Sequence, residues 1–162
     1  LAVIEIQCET GDNVWVSGNT LEGISLIGIN LHRALLDGLS LRGSNLSGTT
    51  LRSAWLEGAI LDKAILFKAN LAAANAMDAS FVGANLEEAF MRSGDYRRAK
   101  FDAACLRRAD VGRSDFSCAS FKSANLTCIN LSDAIIVGAS FDSATIWPEG
   151  FDPINAGAIL VK

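Results

Sequence analysis

This chain has a single histidine, no C-x-x-C pair and no apolar run near the length of a membrane span. Each absence removes a class of function. A Ser-His-Asp or Cys-His nucleophile would have to rest on His32, and no G-x-S-x-G elbow accompanies it. G-x-G-x-x-G and P-loop patterns are missing as well. The four cysteines, Cys8, Cys105, Cys118 and Cys128, have no zinc-finger spacing. Disulfide geometry is demanding, so reduced thiols are expected, and with them a reducing compartment such as the cytoplasm. A membrane helix needs about 20 consecutive apolar residues, and Leu1-Ala2-Val3-Ile4 is too short for the apolar part of a signal peptide. No enzyme, cofactor, metal site or membrane span is expected. The chain begins with Leu rather than Met, which suggests a trimmed or processed chain, or part of a longer protein.

What is present is a five-residue phrase. Ala59-Ile60-Leu61-Asp62-Lys63 is followed by Ala64-Ile65-Leu66-Phe67-Lys68 and Ala69-Asn70-Leu71-Ala72-Ala73. With the leucine numbered i, the register reads from Leu21 to Ile146 through 26 central positions, none charged. Leucine holds fifteen and phenylalanine five; alanine holds seventeen of the i−2 positions. Five residues turn a straight α-helix stripe by about 140°, so no single face could be buried. In a straight strand an odd spacing throws successive leucines to opposite faces. The consistent solution is a short extended side with i−2 and i inward, then a corner, repeated as a coil around an apolar lumen. Glycine recurs at i+2, at Gly23, Gly28, Gly38, Gly43, Gly48, Gly58, Gly83 and Gly138, where a corner wants φ > 0. Six of the eight precede residue 60, so early corners are expected to differ in turn type from later ones.

The A-(D/N)-L-x-x phrasing of Ala69-Asn70-Leu71, Ala84-Asn85-Leu86, Ala109-Asp110-Val111 and Ala124-Asn125-Leu126 resembles the pentapeptide-repeat family. The resemblance covers about four-fifths of the chain. It implies an all-β fold, a right-handed quadrilateral parallel β-helix with four pentapeptides per coil and about six and a half coils. The W-P-E-G-F-D-P stretch after Ile146 is similar to the tail of cyanobacterial members.

Three segments follow. Residues 1–18 read as a degenerate coil or hairpin, with Leu1, Ile6 and Val16 keeping the register around a Thr10-Gly11-Asp12-Asn13 turn. Residues 19–148 are the solenoid. Residues 149–162 form a C-terminal cap, with Asp152-Pro153 starting a short helical turn over residues 154–158. Both ends need cover, because an exposed strand edge recruits other chains. Ala76, small at a central position, predicts a void or an adjusted neighbour, and Tyr96 needs a hydroxyl partner. Asparagine at i−1 is expected to make stacked side-chain hydrogen bonds. An outward column, Glu22, Arg42, Asp62, Val82, Asp102, Lys122, Asp142, mostly alternates in sign and predicts weak attraction between coils.

Two outward features are candidate sites. Arg92, Arg97, Arg98, Arg107, Arg108 and Arg113, with Lys100, face three aspartates in residues 92–113, a net +4 belt that would suit an acidic partner or serve as a solvated face. Leu35, Trp55, Ile60, Ile65, Phe67 and Phe90 are apolar at outward positions and read as anchors of a contact surface. The expected function is a rigid protein-interaction rod or scaffold with an unidentified protein partner or self-association. The family resemblance also implies an alternative, a DNA-mimicking modulator of DNA gyrase, which the mild net charge of −4 disfavours. Direct nucleic-acid binding is not expected, since the belt has no row of base-stacking aromatics.

Overall fold

The computed structural model describes residues 2–162; Leu1, which the register puts at a central position, lies outside them. Residues twenty apart pair in parallel: Ser25 with Asn45, Asn45 with Ile65, Ile65 with Asn85, and so on to Ser120 with Ser140. Twenty residues are four pentapeptides, so the coil has four sides, called here the Leu21, Leu26, Leu31 and Leu36 faces. Each side contributes one paired residue, at i−1, before the chain turns. The solenoid is therefore a stack of single bridges, and continuous strands occur only at its ends.

Backbone accounting explains why five residues suffice. Around Leu61, the amide of Ile60 bonds Leu39 O at 2.9 Å in the coil before, and Leu61 bonds Ser80 O at 2.6 Å in the coil after. Lys63 bonds Val82 O at 2.8 Å, and Ala64 closes the corner onto Leu61 O at 3.0 Å. The fifth amide, at i+1, points outward. At many coils it is taken by the i−1 side chain of its own turn: Asn30, Asn45, Asn70, Asn85 and Asn125 Oδ1 accept from the amide two residues on, at 3.0–3.1 Å. This is the Asx turn, and it completes the pairing that backbone groups require. The expected hydrogen bonds of asparagine are thus made mostly within one turn; a cross-coil bond of the stacked kind runs from Asn130 Nδ2 to Asp110 Oδ1 at 2.9 Å.

Corners do not change type along the rod as glycine runs out. The i+2 residue has positive φ at Gly23, Gly28 and Gly58 (64–66°) and equally at Lys63, Lys68 and Ala103 (56–57°). Stacking imposes the left-handed conformation, which costs a residue with a Cβ roughly 1–2 kcal/mol. The two hydrogen bonds of each corner offset that cost.

The interior is the repeat turned inward. Every central residue from Leu21 to Phe141 is buried. On the Leu21 face, Phe81 stacks on Phe101 at 4.9 Å with rings 2° apart, and Phe101 on Phe121 at 5.4 Å. On the Leu36 face Tyr96 stacks on Phe116 at 5.0 Å. Tyr96 fits because its coil has glycine where alanine is usual: a Cβ on Gly94 would lie 2.4 Å from Tyr96 Cε2. Its hydroxyl donates to Leu71 O at 3.4 Å. The neighbour expected to adjust near Ala76 is thus Tyr96 itself, one coil later. The buried hydroxyls of Ser44, Thr49 and Ser114 donate to Leu41, Leu26 and Met91 carbonyls at 2.6–2.7 Å.

Both ends are lidded. Strands β1 (Val3–Ile6) and β2 (Val14–Ser17) form an antiparallel hairpin with Ile4 opposite Val16 and Ile6 opposite Val14. These four pack on the core together with Ile24 and Ile29 of the first coil. Large residues stand at i−2 there because no earlier coil crowds them. Cys8 pairs antiparallel with Ala34, so the hairpin also covers part of the first edge.

Near the other end the register slips twice. Ile129, not Asn130, pairs with Asp110; Cys128 turns inward instead of occupying a corner, and Ile129 is left 50% exposed. A 3-10 turn, Leu131–Asp133, then restores the phase at Ile135. Beyond Phe141 one extra residue enters the corner. Asp142 holds it through the amide of Ala144 and the Thr145 hydroxyl. Ile146 therefore takes the outward paired position, 52% exposed, rather than the central one. Trp147 goes inside instead, edge-on to Phe141 at 5.2 Å and stacked on Phe151 at 5.5 Å. Half-buried, it packs against this end of the core. The C-terminal cap is not a helix: residues 153–157 are a run of turns, with Asp152 Oδ1 accepting from Asn155 N at 3.0 Å. The chain then returns as β4 (Ile159–Leu160), parallel to β3 (Ser140–Phe141), and that pairing favours an extended strand over a continuing helix.

Candidate interaction surface

The outward residues of each face form columns with one residue per coil. Leu35 and Trp55 are bridged neighbours on the Leu36 face, 40% and 37% exposed. Ile65 and Phe67 share the Leu26 face, Ile60 lies on the Leu21 face, and Phe90 lies on the Leu31 face between Asn70 and Asp110. The six apolar candidates therefore occupy four faces, as two adjacent pairs and two single residues. Part of this surface is already used. The Trp55 indole and the Arg33 guanidinium hold the Glu9 carboxyl below its usual range, and the amide of Leu35 bonds Gln7 O at 2.8 Å. The N-terminal lid thus leans on the Leu35–Trp55 pair. Lys68 sets its ammonium 5.1 Å from the centre of the Phe67 ring, a cation–π contact.

A denser set of exposed apolar side chains lies at the other end: Ile129, Ile135, Val137, Ile146, Ile154, Ile159 and Leu160 are all at least half exposed. Counting the repeat puts Ile129 and Ile146 inward, and the slips at Cys128 and Asp142 are what turn these two outward.

The basic belt is spread over three corners and largely neutralised. Arg97 pairs with Asp95 at 2.7 Å in its own turn. Arg98 reaches Asp78 at 2.8 Å, Arg107 reaches Glu87 at 2.6 Å and Arg108 reaches Glu88 at 3.3 Å, each one coil earlier. Arg92 meets Asp110 at 3.2 Å, and Arg113 has no ion pair among the described residues. Asp110 shows the balance most clearly. Its partial burial would raise its pKa, but the Asn130 amide, the Gly112 N–H and the Arg92 guanidinium hold it below the usual carboxylate range. In the alternating column, Arg42–Asp62 at 3.2 Å is the one ion pair among the described residues. Asp62 and Asp102 instead accept from the hydroxyls of Ser80 and Ser120 and from the amides of Val82 and Lys122 at 3.1–3.2 Å. Charge alternation there is secondary to backbone capping.

Sequence reasoning missed Arg52. It belongs to a column on the Leu31 face, twenty residues apart, that reads His32, Arg52, Ala72, Arg92, Gly112. His32 bonds the Arg52 carbonyl through Nδ1 at 2.9 Å. No cluster of three or more His, Cys, Asp or Glu fit for a metal occurs among the described residues. Among the described residues no helix is long and apolar enough to cross a membrane.

A family model described as Pentapeptide repeats (8 copies) matches overlapping stretches from residues 24–62 to residues 114–146. The crystal structure of alr5209, a pentapeptide repeat protein from Nostoc PCC 7120, is similar at 31% identity, with 63% of this chain and 84% of that chain covered and a TM-score of 0.61. A pentapeptide repeat protein of the Arabidopsis thaliana thylakoid lumen is 29% identical over 67% of this chain and 68% of its own, TM-score 0.52. QnrB1, a plasmid-mediated fluoroquinolone resistance protein, shares the fold at 17% identity, 91% and 87% coverage and TM-score 0.57. No curated protein sequence matches.

Proposed function

Because this chain belongs to the pentapeptide-repeat family, we propose that it is a non-enzymatic, right-handed β-helical rod whose outer faces hold a protein partner or a second copy of itself. The observation that carries this reading is a sealed lumen beneath a flat exterior. Interior side chains are apolar or, like Ser44, Thr49 and Ser114, already bonded to backbone, the exception being the buried Trp147 indole N–H, which has no partner among the described residues. Among the described residues that leaves no enclosed polar cavity in which a reacting group could be desolvated and tuned. Outside, large apolar residues remain exposed, and they supply the anchors that interfaces use.

The Ile65–Phe67 pair is the better place to test this, because Leu35 and Trp55 also serve the N-terminal lid. The double variant Ile65→Ser, Phe67→Ser should keep its circular dichroism yet lose a partner retained by wild type, or lose concentration-dependent association in sedimentation. Equal association of the two proteins rejects the anchor role.

Imitation of a nucleic-acid duplex in order to modulate DNA gyrase is less well supported. A mimic needs free negative charge along its length, and here Asp78, Glu87, Glu88, Asp95 and Asp110 are spent on arginines. Gyrase supercoiling should be unaffected by the protein at micromolar concentration, and salt-sensitive inhibition would reverse the preference.

A further inference from the structure

On the Leu31 face, Arg52, Asn70, Ala72, Ala73, Phe90, Arg92 and Ser93 enclose a shallow notch of about 380 Å³. Its origin lies in the column pattern. Arg52 and Arg92 stand at the same corner position two coils apart, about 10 Å at the usual strand spacing. The coil between them carries Ala72 and Ala73, whose small side chains leave a gap between the two arginines. Phe90, 43% exposed, forms one wall.

The hydrogen-bonding state of these groups separates the notch from the rest of the basic belt. Arg97, Arg98, Arg107 and Arg108 are occupied by carboxylates. The Arg52 guanidinium, the Asn70 amide nitrogen and the Ser93 hydroxyl donate to nothing among the described residues. Arg92 is held in place rather than used up. Asp110 takes its Nη1 at 3.2 Å, Asn130 steadies Asp110, and Gly112 clears the path, since a Cβ there would sit 2.8 Å from Nη1. Its Nε and Nη2 stay available. The notch therefore presents two arginines, one of them preorganised, two neutral donors and one aromatic face, and no carboxylate lines it.

We propose that this notch binds a phosphate monoester attached to a flat ring, with the phosphate between Arg52 and Arg92 and the ring against Phe90. Arginine forks match phosphate oxygens in pairs, and the ring face supplies the apolar contact that a bare anion cannot use. Asp110 repels the ligand from the far side of Arg92, so the phosphate sits toward Arg52 and Asn70. A nucleoside monophosphate and a phosphotyrosine side chain share this chemistry. The inference is independent of the scaffold reading, because it concerns a face that carries neither Ile65 nor Phe67.

Titration of the whole chain, followed by nuclear magnetic resonance or calorimetry, tests it with adenosine 5′-monophosphate, phosphotyrosine, inorganic phosphate, adenosine and tyrosine. At least one of the two ring phosphates should bind at or below about 1 mM, with inorganic phosphate and the two phosphate-free compounds at least about tenfold weaker. Preference for adenosine 5′-monophosphate identifies a nucleotide source, and preference for phosphotyrosine a peptide source. Arg52→Ala should weaken the favoured ligand about tenfold or more. Lys122→Ala, the same loss of charge on the Leu21 face, should leave it unchanged. Arg52 makes no side-chain bond, so this variant keeps the fold, and circular dichroism checks that. Absence of ring-phosphate binding, inorganic phosphate binding equally well, or Arg52→Ala and Lys122→Ala behaving alike would each overturn the proposal.

Discussion

Between residues 21 and 71 the lumen is lined by leucine and most corners are glycine, whereas between residues 76 and 141 aromatic rings enter the lumen and most corners carry side chains. The backbone barely registers the change. Corner φ values are 63–66° at Gly23, Gly48 and Gly58, and 57–60° at Glu88, Arg108 and Arg113. Coil geometry is thus set by stacking hydrogen bonds, and residue choice only changes what each coil costs. Leucine coils pack without special provision. Aromatic coils need stacked columns at 4.9–5.4 Å and local relief, seen in Gly94 beneath the Tyr96 ring.

That contrast can be broken most strongly at Phe101, which stacks with both Phe81 and Phe121. Phe101→Ala should cost about 3–5 kcal/mol and Leu61→Ala, in the same column of the leucine region, about 2–5 kcal/mol. Urea unfolding measures both, with the phenylalanine change the more damaging. Equal losses would mean that the aromatic stack adds nothing beyond size. Gly94→Ala comes next. Overpacking against Tyr96 should cost about 1–3 kcal/mol, and adding Tyr96→Leu should return most of it in the same measurement. Failure of that rescue would point to the backbone at residue 94 instead of the ring.

Corners give a smaller effect. Gly58→Ala meets no atom within 4 Å of the new Cβ, so its cost should be the left-handed backbone alone, about 1–2 kcal/mol by thermal unfolding. Ala103→Gly, at the same corner position in an aromatic coil, should gain less than that, because glycine also loosens the unfolded chain.

The smallest effect is that of pH, and it falls on the second half. Asp95 and Asp110 have pKa values below the usual carboxylate range; burial raises Asp110, while Arg97 acts first on Asp95 and Asn130, Gly112 and Arg92 outweigh burial at Asp110. Their stabilisation is complete above the ordinary carboxylate pKa of 3.8 and is lost as pH falls through the depressed values. Burial pushes the Cys128 thiol up to about 12, so its contribution holds below the ordinary thiol value of 9.0 and fades as pH rises toward 12. Hydrogen exchange in acid should therefore loosen residues 76–141 before residues 21–71. Uniform loosening would contradict this division.

Much of the rod was legible in the spacing of Leu61, Leu66 and Leu71, because a greasy residue every fifth place has few ways to be buried. A hairpin, one of two readings of residues 1–18, was legible in the β-branched and aromatic runs Val3-Ile4-Glu5-Ile6 and Val14-Trp15-Val16 on either side of a turn. Counting failed where size and capping outweighed register: Trp147 displaced Ile146 from the lumen, and Asp142 absorbed the extra residue. The pairing of the belt was not legible, because Asp78, Glu87 and Glu88 lie outside residues 92–113 in the sequence but one coil away in space.

The sequence by itself determined the turning coil and its apolar filling, since burial of a strict five-residue repeat admits only a chain that turns at each repeat; four sides per coil came from the family resemblance and from the pairing of residues twenty apart. Only the tertiary structure decided which charges are spent and which remain free. Partners twenty residues apart meet through stacking, and whether Arg52 faces a carboxylate or two alanines depends on what the neighbouring coil presents there.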